Sequence, residues 1–485
     1  MRLKSAPVCR TVCLTLAAAL LTASLAGCGK EPDTSSKGAS PTASNPPQSG
    51  SASDSIFDKY ENDGLPDTDL DGYTFRIATW APEWFFPEED NSAYEDLILK
   101  TTEEIESRFN CHIEIVEVPY ANSVQRLQPK ILAGDKVADI IMPTIWEVGG
   151  YVASKTILDL KTVPNLQLDK PWWNQSMNEV STVDGKTMVG VNYCASPIDN
   201  SWVMFYNKKL AAELELGDLY ALAESGGWTW DAFREMSAKA VKDMDGNGVM
   251  DENDRWGFGG SVKDLLNALM TAGDVRYIDI KDGKPAFSLG TTDNINDLLT
   301  IRKMYFDDKT LFPENGDYTK NYQAFKAGRL LFFGYGLRAG YNVLHEMESD
   351  FGVLPMPKGP RAASYKSRVD HNQPCVVIPI TNKDLDKTGL ILEALSFAAW
   401  KNTEKLIDFY ADVALRDDES VTTVRNLLDY ATFEISQLTY SSGMLPIEAE
   451  LSDCIVAKPD ADLASLITSY EVMAQTAIDD FFFKK

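Results

Sequence analysis

Five acidic side chains and two asparagines crowd into twelve residues, Asp243-Met244-Asp245-Gly246-Asn247-Gly248-Val249-Met250-Asp251-Glu252-Asn253-Asp254. The spacing fits D-x-[DN]-x-[DN]-G, the loop with which an EF-hand holds calcium. Asp243, Asp245 and Asn247 offer oxygens at positions one, three and five. Gly248 allows the sharp turn at six, Val249 presents a carbonyl at seven, and Asp251 reaches the ion through water at nine. Asp254 stands at twelve, where glutamate is usual, and its shorter arm makes bidentate contact harder. The exit, Arg255-Trp256-Gly257-Phe258-Gly259-Gly260, is a poor helix, so an isolated loop is expected rather than a paired EF-hand. Without an ion the same residues would form a loop of Asx turns. Like charges this close favour calcium as the structural cofactor.

Other reactive chemistry is sparse. The three histidines, His112, His345 and His371, have no metal spacing, and no G-x-S-x-G, H-E-x-x-H or P-loop occurs. His112 alternates within a strand-like run and reads as a surface residue. Of the seven cysteines, Cys111, Cys194, Cys375 and Cys454 lie in the body without C-x-x-C spacing, which leaves disulfides or buried thiols open and offers no zinc framework. No catalytic residue is assigned and no organic cofactor is expected. A carboxylate pair for glycoside hydrolysis would be revealed only by separation in space.

The remaining chemistry sits near the start. Arg2, Lys4 and Arg10 precede an uncharged run from Val12 to Leu25, which ends in Leu25-Ala26-Gly27-Cys28. A basic head, a short apolar middle and small residues before a cut describe an export signal, too short for a comfortable membrane span. The four residues ending in Cys28 resemble the lipobox of bacterial lipoproteins. That resemblance implies cleavage after residue 27, a diacylglycerol on the Cys28 thiol and attachment to the outer face of the cell membrane. Residues 28–65 then serve as a tether. From Glu31 to Ser55 it is mostly Ser, Pro, Thr, Gly and Ala, a composition unable to offset ordering entropy. A coil of this length reaches about 25–30 Å.

The chain has 485 residues and a formal net charge of −26, so nucleic acid and anionic lipid surfaces are poor partners. Its hydrophobic fraction of 44% and ten tryptophans exclude a largely disordered chain and allow two sizeable domains. These must be built from strands and helices in alternation. Tyr73 to Trp80 reads as a strand, a helix follows from about Asn91, and Cys111 to Val118 is a second strand. A helix from Ser123 to Leu132 stops near Gly134, and Ala138-Asp139-Ile140-Ile141-Met142 suits the middle of a parallel sheet. This β-α-β-α-β order predicts an α/β layer with right-handed crossovers. Thr229 is a good N-cap, and Trp228 and Trp230 around it read as structural.

Several segments in order resemble one family. They are Lys136-Val137-Ala138-Asp139-Ile140-Ile141 with Val148-Gly149-Gly150-Tyr151, then Asp184-Gly185-Lys186 with Val203-Met204-Phe205-Tyr206-Asn207-Lys208, then Gly227-Trp228-Thr229-Trp230-Asp231. Tyr322 to Gly328, Phe351 to Pro357 and Val376 to Pro379 complete the series. Together they are similar to the family 1 extracellular solute-binding proteins of ABC importers, the maltose-binding type, over roughly residues 70 to 410. The resemblance implies a two-lobed periplasmic-binding-protein type II fold with a hinge and a central ligand cleft. It places lobe one at 66–199 and 371–420 and lobe two at 202–368 and 421–485.

On that frame Trp80 and Trp84 lie where a strand end meets a cleft, Trp146 and Glu147 follow the third strand, and Asp199 and Trp202 fall in the crossing. Tyr335 and Arg338 follow an apolar strand of lobe two. Indoles and phenols stack on the apolar face of a pyranose while polar groups meet its hydroxyls. In the family the pair after the third strand is charged, so Trp146 departs from the pattern and suggests a different sugar. The expected function is a monomeric, lipid-anchored receptor that passes an oligosaccharide to an ABC permease, and not an enzyme. A polyamine or peptide receptor, an exported glycoside hydrolase and an adhesin are the alternatives.

Overall fold

The computed structural model describes residues 56–87, 92–439 and 443–484. The expected signal, Cys28 and the tether as far as residue 55 lie outside the described residues, whereas 56–65, expected to belong to the tether, pack on the body through Phe57 on Trp400 and Asp63 paired with Arg108. The first strands, β1 (Tyr73–Thr79), β2 (Cys111–Glu117) and β3 (Ile140–Met142), form a parallel sheet in the order β2-β1-β3. The crossovers are α1 (Ala93–Phe109), opened by a Ser92–Glu95 capping box, and α2 (Ser123–Leu132). The predicted alternation is therefore present, with ends shifted by a residue or two.

One buried acid explains the register. The two oxygens of Asp139 accept the Tyr73 hydroxyl at 2.7 Å and the Arg76 backbone N–H at 2.8 Å, with the Lys136 ammonium 2.9 Å away. The carboxylate thus clamps the entry to β3 against β1 before their ladder begins. α3 (Ile145–Ala153) follows, then α4 (Gln175–Ser181) and the hairpin of β4 (Thr182–Val183) and β5 (Lys186–Thr187).

Lobe two is built on a mixed sheet in the order β11-β6-β10-β7, from β6 (Trp202–Asn207), β7 (Trp256–Gly259), β10 (Leu330–Gly336) and β11 (Phe351–Pro355). The hairpin of β8 (Ile278–Lys281) and β9 (Lys284–Phe287) stands apart from it. β6 runs antiparallel to both neighbours, whereas β7 and β10 are parallel. The connecting helices are α5 (Lys208–Glu213), α6 (Leu219–Glu224), α7 (Trp230–Ala240), α8 (Val262–Ala272), α9 (Thr292–Phe306), α10 (Thr319–Lys326) and α11 (Ala339–Asn342). The Thr229 side chain caps α7 by accepting from Ala232 N–H, and Trp228 and Trp230 are buried beside it.

The short strands β12 (Ser367–Arg368) and β13 (Ala431–Thr432) pair in parallel. Between and after them come α12 (Leu385–Lys401), α13 (Thr403–Val413), α14 (Asp418–Tyr430), α15 (Ile435–Leu438), α16 (Leu445–Val456) and α17 (Leu463–Phe483). α12 packs on α1, and its fully buried Glu393 accepts from the indoles of Trp172 at 2.6 Å and Trp173 at 2.9 Å. The body cysteines are free thiols, three of them buried, and no described helix is long and apolar enough to cross a membrane.

The expected boundaries are altered at the C-terminal end. Leu406, Ile407 and Tyr410 of α13 already share a core with Phe333 of β10 and Phe351 of β11. α13 thus packs on lobe two as well as on α1 and α12 of lobe one, so the passage between lobes expected at 420 is not marked by a single residue. α15 and α17 pack partly on α3 of lobe one, so 421–485 is not confined to lobe two. Helices that bury apolar faces on both lobes leave no sequence mark that assigns them to either one.

Candidate functional site

The lobes meet where two crossing stretches run side by side. Ser201 bridges Val369, and Asp370 N–H donates to the Asn200 carbonyl at 2.8 Å. The buried Asn200 amide donates to Gln373 Oε1 at 2.8 Å, and Gln373 Nε2 donates to the Ala195 carbonyl at 2.7 Å. Val369 N–H reaches Thr432, and Gln437 of α15 donates back to the Val369 carbonyl. These neutral bonds satisfy backbone that no sheet covers.

Lobe one brings an aromatic lip to this junction. Trp80, one residue past β1, meets Trp84 and Tyr120 edge to face, each at 5.1 Å. Its Nε1 is buried without a hydrogen-bond partner among the described residues. Tyr120 donates its hydroxyl to Asn372 Oδ1, and Trp146, in the first turn of α3, donates its backbone N–H to the His371 carbonyl at 3.3 Å.

From lobe two, Arg338 N–H donates to the Asp199 carbonyl at 3.1 Å, while Asp199 Oδ1 accepts the Tyr410 hydroxyl at 2.7 Å. Burial pushes the Asp199 carboxyl up, and the Tyr410 bond and Arg338 charge oppose that rise. Trp80, Trp84, Asp199, Arg338 and Asn372 line one small pocket of about 20 Å³. Four of the eight residues expected at the ligand site thus converge from both lobes and the crossing. The pocket has room for about one water, so a sugar ring would need the lobes further apart.

Two expected contacts are already committed to the fold. Trp202 is the first residue of β6 and only 2% exposed. Its ring lies 5.6 Å from that of Tyr335, and its Nε1 donates to Asp370 Oδ2 at 3.2 Å, so no face is free to stack. Tyr335 lies within β10 rather than after it, half-buried. Glu147 is buried and accepts from Ser123 N–H and Oγ at 2.8 and 3.0 Å and from Thr144 N–H and Oγ1 at 3.3 and 3.0 Å. It fastens the starts of α2 and α3 together and has no oxygen left unbonded for a ligand.

A larger cavity of about 500 Å³ opens beside the same crossing, lined among others by Asp264, Tyr277, Glu314, Arg368, His371 and Glu448. Sequence reasoning missed these six and also Tyr120 and Asn372. One signal was present, since Gly259-Gly260-Ser261 after β7 brings the start of α8 to a sheet edge, where α/β ligands gather. Glu448 gave none, because an acid in an amphipathic helix reads as solvated.

The acidic loop is a separate feature between α7 and β7. Asp243, Asp245 and Asp254 each bring an oxygen within 4.8 Å of the others. Asp254 is 1% exposed and accepts Met244 N–H at 2.7 Å and Asp251 N–H at 2.8 Å. Asp243 accepts from Gly246 and Gly248, whose φ of +79° makes the sharp turn, and these donors hold its carboxyl below the usual range. Asn247 Oδ1 is turned to Val249 N–H and Asp251 Oδ1 to Asn253 N–H. The exit continues into strand β7, as expected, and not into a helix.

Against known proteins, a family model described as bacterial extracellular solute-binding protein matches residues 88–405, more than half of the chain. No curated protein sequence matches. Among solved structures, M. tuberculosis UspC is 17% identical with a TM-score of 0.58, the alignment covering 83% of this chain and 100% of that one. The cyclic alpha-maltosyl-1,6-maltose binding protein of Arthrobacter globiformis is 14% identical with a TM-score of 0.58, over 84% and 100% of the two chains. The sugar-binding protein MalE of Xanthomonas citri is 13% identical with a TM-score of 0.57, over 84% and 97%. At these identities the likenesses establish the two-lobed fold.

The burial difference between two tryptophans sets an expected outcome. Trp202→Ala should lower unfolding stability by about 3–5 kcal/mol, the range for emptying a large core site. Trp84→Ala, at a half-buried lip position, should cost less than half as much. Urea denaturation of both variants measures this, and equal losses would contradict the placement of Trp202 in the core.

Proposed function

The chain belongs to the bacterial extracellular solute-binding proteins, and from that membership we propose that it captures a carbohydrate, an oligosaccharide above all, between its lobes and delivers it to an ABC permease. The observation that carries this reading is the convergence of Trp80, Trp84, Asp199, Arg338 and Asn372 on one pocket. Indole faces with a carboxylate, a guanidinium and an amide make a set suited to a ring with an apolar face and an equatorial girdle of hydroxyls. Two of the structural relatives are named for sugar ligands, which supports the same class. Binding and release, without bond chemistry, is the activity in view. Ligand touching both lobes favours the state in which they close.

Calorimetry of the mature protein against a panel of oligosaccharides, with small-angle scattering of the same mixtures, tests the proposal. A bound sugar should shrink the radius of gyration, and Trp80→Ala should weaken its binding by about 1–3 kcal/mol, as for a lost aromatic anchor. A panel with no binder, or a binder indifferent to Trp80, would count against the cleft.

Two attachments complete the reading. Lipid on Cys28 would hold the receptor at the outer face of the cell membrane, next to its permease. Cys28→Ser should leave the protein unlipidated and largely uncleaved, as intact mass and detergent partitioning would report; a normal lipid-modified mass would refute the anchor. Calcium in the Asp243–Asp254 loop would neutralise clustered carboxylates and brace the entry to β7. A chelator should then lower the melting temperature, and Asp243→Ala should abolish that response. Unchanged melting would leave the loop a set of Asx turns.

A further inference from the structure

The larger cavity gathers three carboxyl groups that have no close cation among the described residues. Glu448 and Ser452 lie one turn apart on α16, and both line it. Glu448 Oε1 and Ser452 Oγ are buried without hydrogen-bond partners among the described residues, and Ser452 is only 7% exposed. From the first turn of α8 comes Asp264, fixed by Ser261 Oγ at 2.7 Å; from the loop before α10 comes Glu314, fixed by the Asn321 amide at 2.6 Å. Both anchors are neutral. Among the described residues none of Asp264, Glu314 and Glu448 has a cation within ion-pair distance.

The cations that line the cavity do not restore balance. Lys263 Nζ is 2.7 Å from Asp453 Oδ1, and the imidazole of His371 faces Asp370 at 3.8 Å. Arg368 favours ionisation of Glu448 and also of the buried Glu434, where Arg276 acts more strongly, and it makes no close ion pair with Glu448 among the described residues. Burial pushes the Glu448 carboxyl up to about 8 despite Arg368, and burial also raises Glu314, with Asp264 adding to the rise. A carboxyl in this position gains most from an added positive charge nearby. The exposed Tyr318 ring at the wall offers such a charge a π-face.

We propose that this cavity takes a protonated amine of the ligand, with Glu448 as its counter-charge, Ser452 as a hydrogen-bond acceptor and Asp264 and Glu314 as the surrounding negative field. The proposal rests on the carbohydrate reading and narrows it to an amino sugar, while a linear polyamine presents the same ammonium from a different source. An uncharged polyol would leave the carboxyls uncompensated, and an acidic sugar would be repelled by them. An occupant of about 500 Å³ has space for more than the amine alone.

Calorimetry at pH 7 with three probes tests this: the β-1,4-linked glucosamine trimer, its fully N-acetylated counterpart and spermidine. The glucosamine trimer should bind at least tenfold more tightly than the N-acetylated trimer. Glu448→Gln, which keeps size and removes charge, should cost the glucosamine trimer tenfold or more. Equal affinity for the two trimers, no binding of either amine, or an amine affinity unchanged in Glu448→Gln would overturn the proposal. The comparison of trimers uses the unaltered protein, so it stands even where the variant folds poorly. Spermidine binding that depends on Glu448, with no trimer bound, would keep the ammonium site and overturn the carbohydrate reading. Tight N-acetylated trimer binding indifferent to Glu448 would do the reverse.

Discussion

The junction between the lobes hangs on the pairing of two crossing stretches, 199–202 and 369–373. Asp370 N–H on the Asn200 carbonyl and the Asn200 amide on Gln373 hold them together. The amide of Gln373 then reaches back to Ala195 in lobe one, and Gln437 ties Val369 to α15. Neutral amides suit the place. A buried ion pair here would resist any change of angle, because its desolvation is tolerated only in one good geometry. Amide bonds of about 1 kcal/mol each can lengthen or exchange partners at modest cost. The junction is thereby able to be both fully bonded and bendable.

The same crossing divides the ligand surface. Arg368 and His371 line the large cavity, while Asn372 and Pro374 line the small pocket beside Trp80. Tyr120 joins the second region to the aromatic lip through Asn372. Both cavities are thus lined by one short stretch of backbone, 368–374. A ligand long enough to enter both would couple its affinity to closure more strongly than one confined to either.

Much of this was legible in the sequence, and the losses have a common cause. The alternation of β1, α1, β2, α2 and β3 was readable because each apolar pattern is local and each end carries its own punctuation, such as the Ser92–Glu95 box or the turn after Leu132. The strand end placed Trp80, and the crossing placed Asp199 and Arg338, around one pocket between the lobes. Trp202 and Glu147, expected beside the ligand, lie buried with their polar atoms already bonded, which residue type and position do not reveal. An indole at the start of a central strand and a glutamate at N3 of a helix have structural uses as good as any ligand contact. Glu448 was invisible for the opposite reason, since its surroundings come from Asp264 and Arg368, far away in the chain. The α13 boundary failed likewise, as a helix buried by both lobes carries one apolar stripe and no label.

The strong acidity of the chain acquires local meaning at the cavity. A net charge of −26 spread over a surface mainly keeps a protein soluble and repels like surfaces. Most exposed acids here are screened by water and salt and shape no site. Asp264, Glu314 and Glu448 differ because they line one cavity and neutral donors, not cations, orient two of them. Field from the rest of the chain is also negative, so an approaching cation is drawn first to the surface and then to the place where screening is weakest. Arg368 does not cancel this arrangement, since it faces Glu434 as well as Glu448.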